Sequence, residues 1–332
     1  ILFCKLYNKD YDNSIFSLRY IFRVGFCLIL YYTNFGGDIM INKTISLILA
    51  LMLMATPHVK CPEVIKILSI GNSFSQDCVY YLYDIAQSAG VNVIIGNLYH
   101  SGSSLERHDK NAKENLKAYS YQKWTSSEMV EEKNKTMKEV LLDEDWDYIT
   151  FQQSSENSGL YDTYQPYLNN LINYVKSISK NPDVKFALNM TWAYSTRSSN
   201  KGFAYYNYSQ FNMYRCITES YKRAIEETEI DIIIPCGTAI QNARTNEHLN
   251  SIGNQLTNDG YHLENGIGKY IAGLTFFETL VINDKNLDLN IYDDVTFIPE
   301  TKNERADLAD IAKKSVIKAV NYPYIITKIR AD

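Results

Sequence analysis

The sequence has no CxxC pair, and its cysteines, five histidines and acidic residues show no metal-ligand spacing. No metal and no cofactor are therefore expected. It also lacks an excess of positive charge: 33 lysines and arginines are interspersed with 38 acidic residues, for a net charge of -5 and no basic stripe. Nucleic acid is accordingly not an expected partner. The glycines and lysine that cradle a polyphosphate are missing around Gly71, Asn72 and Ser73, which disfavours a phosphate-binding α/β protein. There is no internal repeat, no low-complexity tract and no apolar stretch of the length a lipase lid would need. Long hydrophobic runs are scarce too. Residues 45–55 are of signal-peptide length and too short to span a bilayer comfortably, and residues 15–32 are interrupted by Arg19 and Arg23.

What is present begins with an unusual leader. The first methionine is Met40, so residues 1–39 are expected to be translated upstream sequence outside the fold. Residues 40–61, with Lys43 ahead of the apolar stretch, read as a secretory signal; a buried first helix or a membrane anchor is the alternative. The expected destination is export, to the periplasm, the cell surface or the medium, with no stable membrane span after signal removal. Cys4 and Cys27 fall in the leader. Cys61, Cys78, Cys216 and Cys236 are either buried thiols or disulfide partners that the sequence does not pair.

A chain of 332 residues accommodates one large α/β domain. β-branched apolar runs predict strands at residues 64–70, 91–98, 147–151, 184–190 and 230–235. Helical spacing marks residues 75–90, 164–178, 211–228 and 266–281, and residues 104–145 read as charged and largely helical. Alternation of this kind predicts a parallel five-stranded sheet covered on both faces, a three-layer α/β/α sandwich of flavodoxin-like type. The domain is expected over residues 62–282, with residues 283–332 as a helical C-terminal appendage.

The polar segments fall where such a sheet binds ligands, beyond the carboxyl ends of its strands. Ser73 follows the first strand through Gly71, at the start of a helix. Asp259 and His262 lie three apart in a glycine-containing turn almost two hundred residues later, so both can reach one point. A serine in that position is also an ordinary helix cap. Together, however, these residues supply a nucleophile, a base and an orienting acid.

Several segments in order resemble the SGNH/GDSL hydrolase superfamily. Gly71-Asn72-Ser73-Phe74-Ser75 is similar to its first block, with Asn72 in place of the usual aspartate. Asn97 followed by Ser101-Gly102 is similar to the second, and Asp259-Gly260-Tyr261-His262 to the last. The third block departs: where the family has Gly-x-Asn-Asp, this chain has Gln152-Gln153-Ser154-Ser155. The resemblance implies Ser73 as nucleophile, His262 as base and Asp259 as orienting acid. The oxyanion would lie between the backbone N–H groups of Ser73 and Gly102 and the side-chain amide of Gln153, with Gln152 in reserve. Asn72, Gln152 and Trp192 are the residues expected to contact substrate.

The implied activity is a serine esterase that removes acetyl or other acyl groups from carbohydrate, its partner being an acylated sugar or another small ester. Trp192, Tyr194, Tyr205, Tyr206 and Tyr208 follow the fourth strand, where aromatic faces either stack on sugar rings or pack on the domain itself. The competing reading is a glycan-binding or surface protein that keeps the fold without turnover, suggested by Asn72 and by the altered third block. Asn189 and Arg244 are further polar residues near element ends without an assigned role.

Overall fold

The computed structural model describes residues 63–300 and 306–330. The expected upstream segment 1–39 and signal segment 40–61 lie outside the described residues.

Seven strands form one sheet: Ile65–Gly71 (β1), Val93–Tyr99 (β2), Tyr119–Trp124 (β3), Met129–Lys135 (β4), Tyr148–Phe151 (β5), Lys185–Asn189 (β6) and Ile232–Ile234 (β7). Their order is β4-β3-β2-β1-β5-β6-β7. β2, β1, β5, β6 and β7 run parallel, Ile67 of β1 pairing with Ile95 on one side and Tyr148 on the other. Every residue of β5 is buried, as a strand covered on both faces requires. In chain order these five follow the pattern 2-1-3-4-5, whose switch point lies between β1 and β5.

The expectation of a five-stranded, wholly parallel sheet needs correcting. Residues 119–135, expected to be helical, form an antiparallel hairpin that extends the sheet beyond β2. Tyr119, Tyr121 and Trp124 are buried, so β3 carries an apolar pattern. β4 is the edge strand and is exposed along nearly its whole length, and its run of Glu and Lys hides the strand signal while discouraging edge pairing.

The expected first helix, residues 75–90, is two: Ser73–Val79 (α1) and Leu82–Ser88 (α2). The break falls at Tyr80 and Tyr81, whose rings pack edge to face and whose helix propensity is modest. The chain continues through Leu105–Lys113 (α3), Met137–Leu141 (α4), Tyr167–Ile178 (α5), Gln210–Glu226 (α6), Cys236–Ala243 (α7), Glu247–Asn250 (α8), Ile267–Phe276 (α9) and Ala306–Asn321 (α10). α4 is held by a capping box between Thr136 and Glu139. α1, α2, α7, α9 and α10 pack on one another, and α3, α4 and α5 form a second group, giving the sheet its two covering layers. The segment expected as an appendage contributes α10, which packs on α7 and α9 and is tied by the amide of Asn242 to the Ser315 carbonyl at 3.2 Å. No described helix is long and apolar enough to cross a membrane.

Candidate active site

β1 ends in Gly71 and turns at once into α1. A Cβ on Gly71 would stand 2.6 Å from the Ser75 hydroxyl and 3.1 Å from the Gln152 side chain, so only glycine lets the helix start this close to the strand. Asn72 caps α1, its Oδ1 accepting the Phe74 N–H at 3.0 Å. Ser73 is the first helical residue, and its own N–H has no intrahelical acceptor.

The opposing part is a hairpin turn closed by a bridge between Thr257 and Leu263. Within it Asp259 Oδ1 accepts the backbone N–H groups of Tyr261, at 3.0 Å, and His262, at 2.8 Å. The other carboxylate oxygen lies 2.7 Å from His262 Nδ1, and His262 Nε2 lies 2.8 Å from Ser73 Oγ. A continuous hydrogen-bonded line thus joins Ser73, His262 and Asp259, the three residues singled out in the sequence. Burial would raise the Asp259 carboxyl, but the His262 N–H, the His262 ring and the Tyr261 N–H outweigh it and hold the group below its usual range. The line is open to solvent: the side chains of His262 and Asp259 are 32% and 41% exposed.

Three supports hold the turn against α1. Asp77, one helical turn beyond Ser73, accepts the Leu263 N–H at 2.9 Å and pairs with Lys269 at 3.3 Å. Burial pushes its carboxyl up despite Lys269, the Leu263 N–H and His262. Trp192 donates from Nε1 to the Tyr261 carbonyl at 2.7 Å and stacks on Phe74 at 4.3 Å between ring centres. Ser195 donates its N–H to the Gly260 carbonyl at 2.8 Å. Arg244 sits behind these loops, donating to the carbonyls of Ala193 at 2.8 Å and Gln255 at 3.0 Å. Asp77 escaped the sequence reading, although its i, i+4 relation to Ser73 places both on one helix face.

The second and third blocks converge less completely. Gly102 is exposed in a turn closed by the Ser103 N–H and the His100 carbonyl at 3.1 Å; its φ of 61° suits glycine, and a Cβ there would meet nothing within 4 Å. Asn72 ties this turn to α1 by donating to the Ser103 carbonyl at 2.9 Å.

Gln153 requires a correction. It is fully buried, its Nε2 donates to the Thr163 carbonyl and hydroxyl at 2.9 and 3.0 Å, and its Oε1 accepts the N–H groups of Leu105 and Ser154. No donor remains for an oxyanion. Gln152 is buried as well, donating to Asn72 Oδ1 at 2.8 Å and accepting from Asn189 at 2.9 Å. Asn72, Gln152 and Trp192, expected to contact substrate, are therefore buried scaffold that holds the site, and Asn189 belongs to the same network. His108 is a core residue 3.0 Å from the Tyr119 hydroxyl, and burial together with the neighbouring His100 depresses it to about 3. Among the described residues no three metal-ligating side chains come together.

No curated protein matches the sequence. Solved structures similar to it include an acetylxylan esterase from Geobacillus stearothermophilus, 14% identical, with a TM-score of 0.42 over 65% of this chain and 94% of that one. A carbohydrate esterase family 3 protein from Talaromyces cellulolyticus is also 14% identical, with a TM-score of 0.43 over 68% of this chain and the whole of that one. A DUF4886 family protein from Bacteroides uniformis is 38% identical, with a TM-score of 0.73 over 80% of this chain and 98% of that one. Since residues 66–319 also match the family as a whole, this chain belongs to the family described as "Domain of unknown function (DUF4886)".

Proposed function

We propose that the protein is a serine esterase of SGNH type that removes small acyl groups, acetyl foremost, from carbohydrate. The observation that carries this reading is the unbroken line from Ser73 Oγ through both ring nitrogens of His262 to Asp259, with links of 2.8 and 2.7 Å. In the proposed cycle Ser73 Oγ bonds to the ester carbonyl carbon while His262 Nε2 takes its proton. Asp259 keeps Nδ1 protonated and stabilises the imidazolium. The oxyanion is met by the backbone N–H groups of Ser73 and Gly102, and collapse releases the sugar hydroxyl with the proton from His262. Water, deprotonated by the same imidazole, then frees the acid and restores Ser73. The shallow, solvent-open setting of the line suits a small acyl group on a bulky alcohol better than a long chain needing an apolar tunnel.

One observation favours the competing reading, a glycan-binding protein without turnover: the amides of Gln152 and Gln153 are both committed elsewhere, so the oxyanion is left to backbone donors. Hydrolysis of p-nitrophenyl acetate and of an acetylated oligosaccharide by the purified protein, beside Ser73→Ala, separates the two. A fall of about a thousandfold or more in the variant, with its fold intact, is the expected result. Equal inactivity of both proteins would sink the esterase reading.

A further inference from the structure

The three most exposed aromatic side chains among the described residues, Tyr205, Tyr208 and Phe211, at 61%, 67% and 64%, lie within seven positions of one another. Tyr205 sits on the 3-10 turn Lys201–Tyr206, Tyr208 in the link that follows it and Phe211 at the start of α6. Neighbouring residues anchor the segment. Phe203 and Tyr206 are buried, and the Tyr206 hydroxyl donates to the Glu156 carbonyl at 2.8 Å and accepts the Gly159 N–H at 2.9 Å. The outward rings thus stand on a fixed base and lose little freedom when a ligand settles on them.

Tyr208 is held there against its own backbone preference. Asn207 and Tyr208 both have positive φ, 55° and 54°. Asparagine is at home in that region, but a bulky aromatic residue is an outlier whose persistence points to use. The patch is also linked to the candidate active site by packed rings, two of them, Phe203 and Tyr194, buried beneath the surface. Ring centres step from Tyr208 to Phe203 at 5.9 Å, to Tyr194 at 5.7 Å, to Tyr261 at 5.7 Å and to His262 at 4.3 Å.

Its chemistry narrows the occupant. Residues 202–214 contain no charged side chain, and the polar groups between the aromatics are the amides and hydroxyl of Asn207, Ser209, Gln210 and Asn212. Lys201 and Arg215 flank it, the latter paired with Glu219 at 3.1 Å, so the face between the rings is itself uncharged. Two of its three exposed rings are tyrosines, whose apolar faces and polar tips match the C–H faces and hydroxyls of sugar rings.

We propose that Tyr205, Tyr208 and Phe211 form a distal glycan platform, binding the sugar rings of a neutral oligosaccharide whose acylated unit lies at Ser73. The proposal rests on the esterase reading, and it predicts a preference for chains of several sugars over short ones.

The test is calorimetric titration of Ser73→Ala protein, which holds substrate without turning it over, with O-acetylated disaccharides and hexasaccharides of xylan, cellulose, mannan and starch backbones. At least one hexasaccharide is expected to bind about tenfold or more tightly than its disaccharide, and the added substitutions Tyr205→Ala, Tyr208→Ala and Phe211→Ala are expected to erase that gain. Tyr208→Gly alone is expected to raise the melting temperature by relieving the backbone while weakening hexasaccharide binding, a pairing that a structural role for the ring does not produce. A length preference that survives the triple variant, or no length preference with any backbone, overturns the platform. So does a dimer of the parent protein that the triple variant dissolves in sedimentation, because the patch would then be covered by a second copy. Binding is read without turnover, so a chain that binds long glycans but never cleaves p-nitrophenyl acetate would refute the esterase reading and leave the platform standing.

Discussion

Asp77 accepts the backbone N–H of Leu263 at 2.9 Å, joining the helix that begins at Ser73 to the turn that carries His262 across 186 residues of chain. The bond is buried, so neither partner can turn to water instead. Asp77→Ala orphans that N–H and leaves Lys269 unpaired, with an expected loss of about 2–4 kcal/mol in urea unfolding. Asp77→Asn keeps an acceptor and removes the charge. Burial raises the folded carboxyl above 3.8, so its ionisation costs stability that is fully present only below that pH. The stability of Asp77→Asn relative to wild type is therefore expected to improve between pH 3 and pH 7, and unfolding curves at the two pH values check the sign.

Asp259 titrates in the opposite sense. Its folded carboxyl is held below 3.8, so its contribution is present above that value and is lost as pH falls through the lower, folded one. Asp259→Asn should be less stable than wild type at pH 6, with the difference fading at acid pH. Its kcat on p-nitrophenyl acetate should fall by about a thousandfold or more, since the amide no longer fixes the imidazole tautomer.

Gln153 separates scaffold from chemistry. Gln153→Ala removes the partner of Thr163 and of the Leu105 and Ser154 N–H groups, and is expected to cost about 2–3 kcal/mol. Its effect on kcat should stay below about tenfold, whereas loss of an oxyanion donor costs on the order of a hundredfold or more. A hundredfold loss of kcat in a variant of unchanged stability would restore Gln153 to the oxyanion site.

Asn72→Asp installs the aspartate of the motif that this segment resembles, yet here it should do harm. Asn72 Nδ2 donates to the Ser103 carbonyl, and a carboxylate there would face that oxygen while buried. A loss of about 1–3 kcal/mol is expected, measured by thermal or urea unfolding.

The parallel strands and the three-residue line were legible in the sequence because each rests on a local signal. β1 is a β-branched run closed by glycine, and Asp259 and His262 share one turn. The hairpin of β3 and β4 was not legible, since β4 packs on no core and its Glu and Lys residues mimic a solvated helix. Nor could the orientation of Gln153 be read, because its partners Leu105, at the start of α3, and Thr163, in the 3-10 turn Tyr161–Thr163, are brought together only by the folded sheet. The same holds for Trp192: an aromatic at a strand end looks like a sugar platform until its indole N–H is seen bonded to the Tyr261 carbonyl.

Placing Asp259 and His262 in one turn has a mechanical consequence. The geometry between acid and base is set within four residues, by bonds internal to the turn. On the esterase reading the acid–base pair is thus assembled independently of the nucleophile, and the bond from Asp77 to Leu263 sets its reach to Ser73.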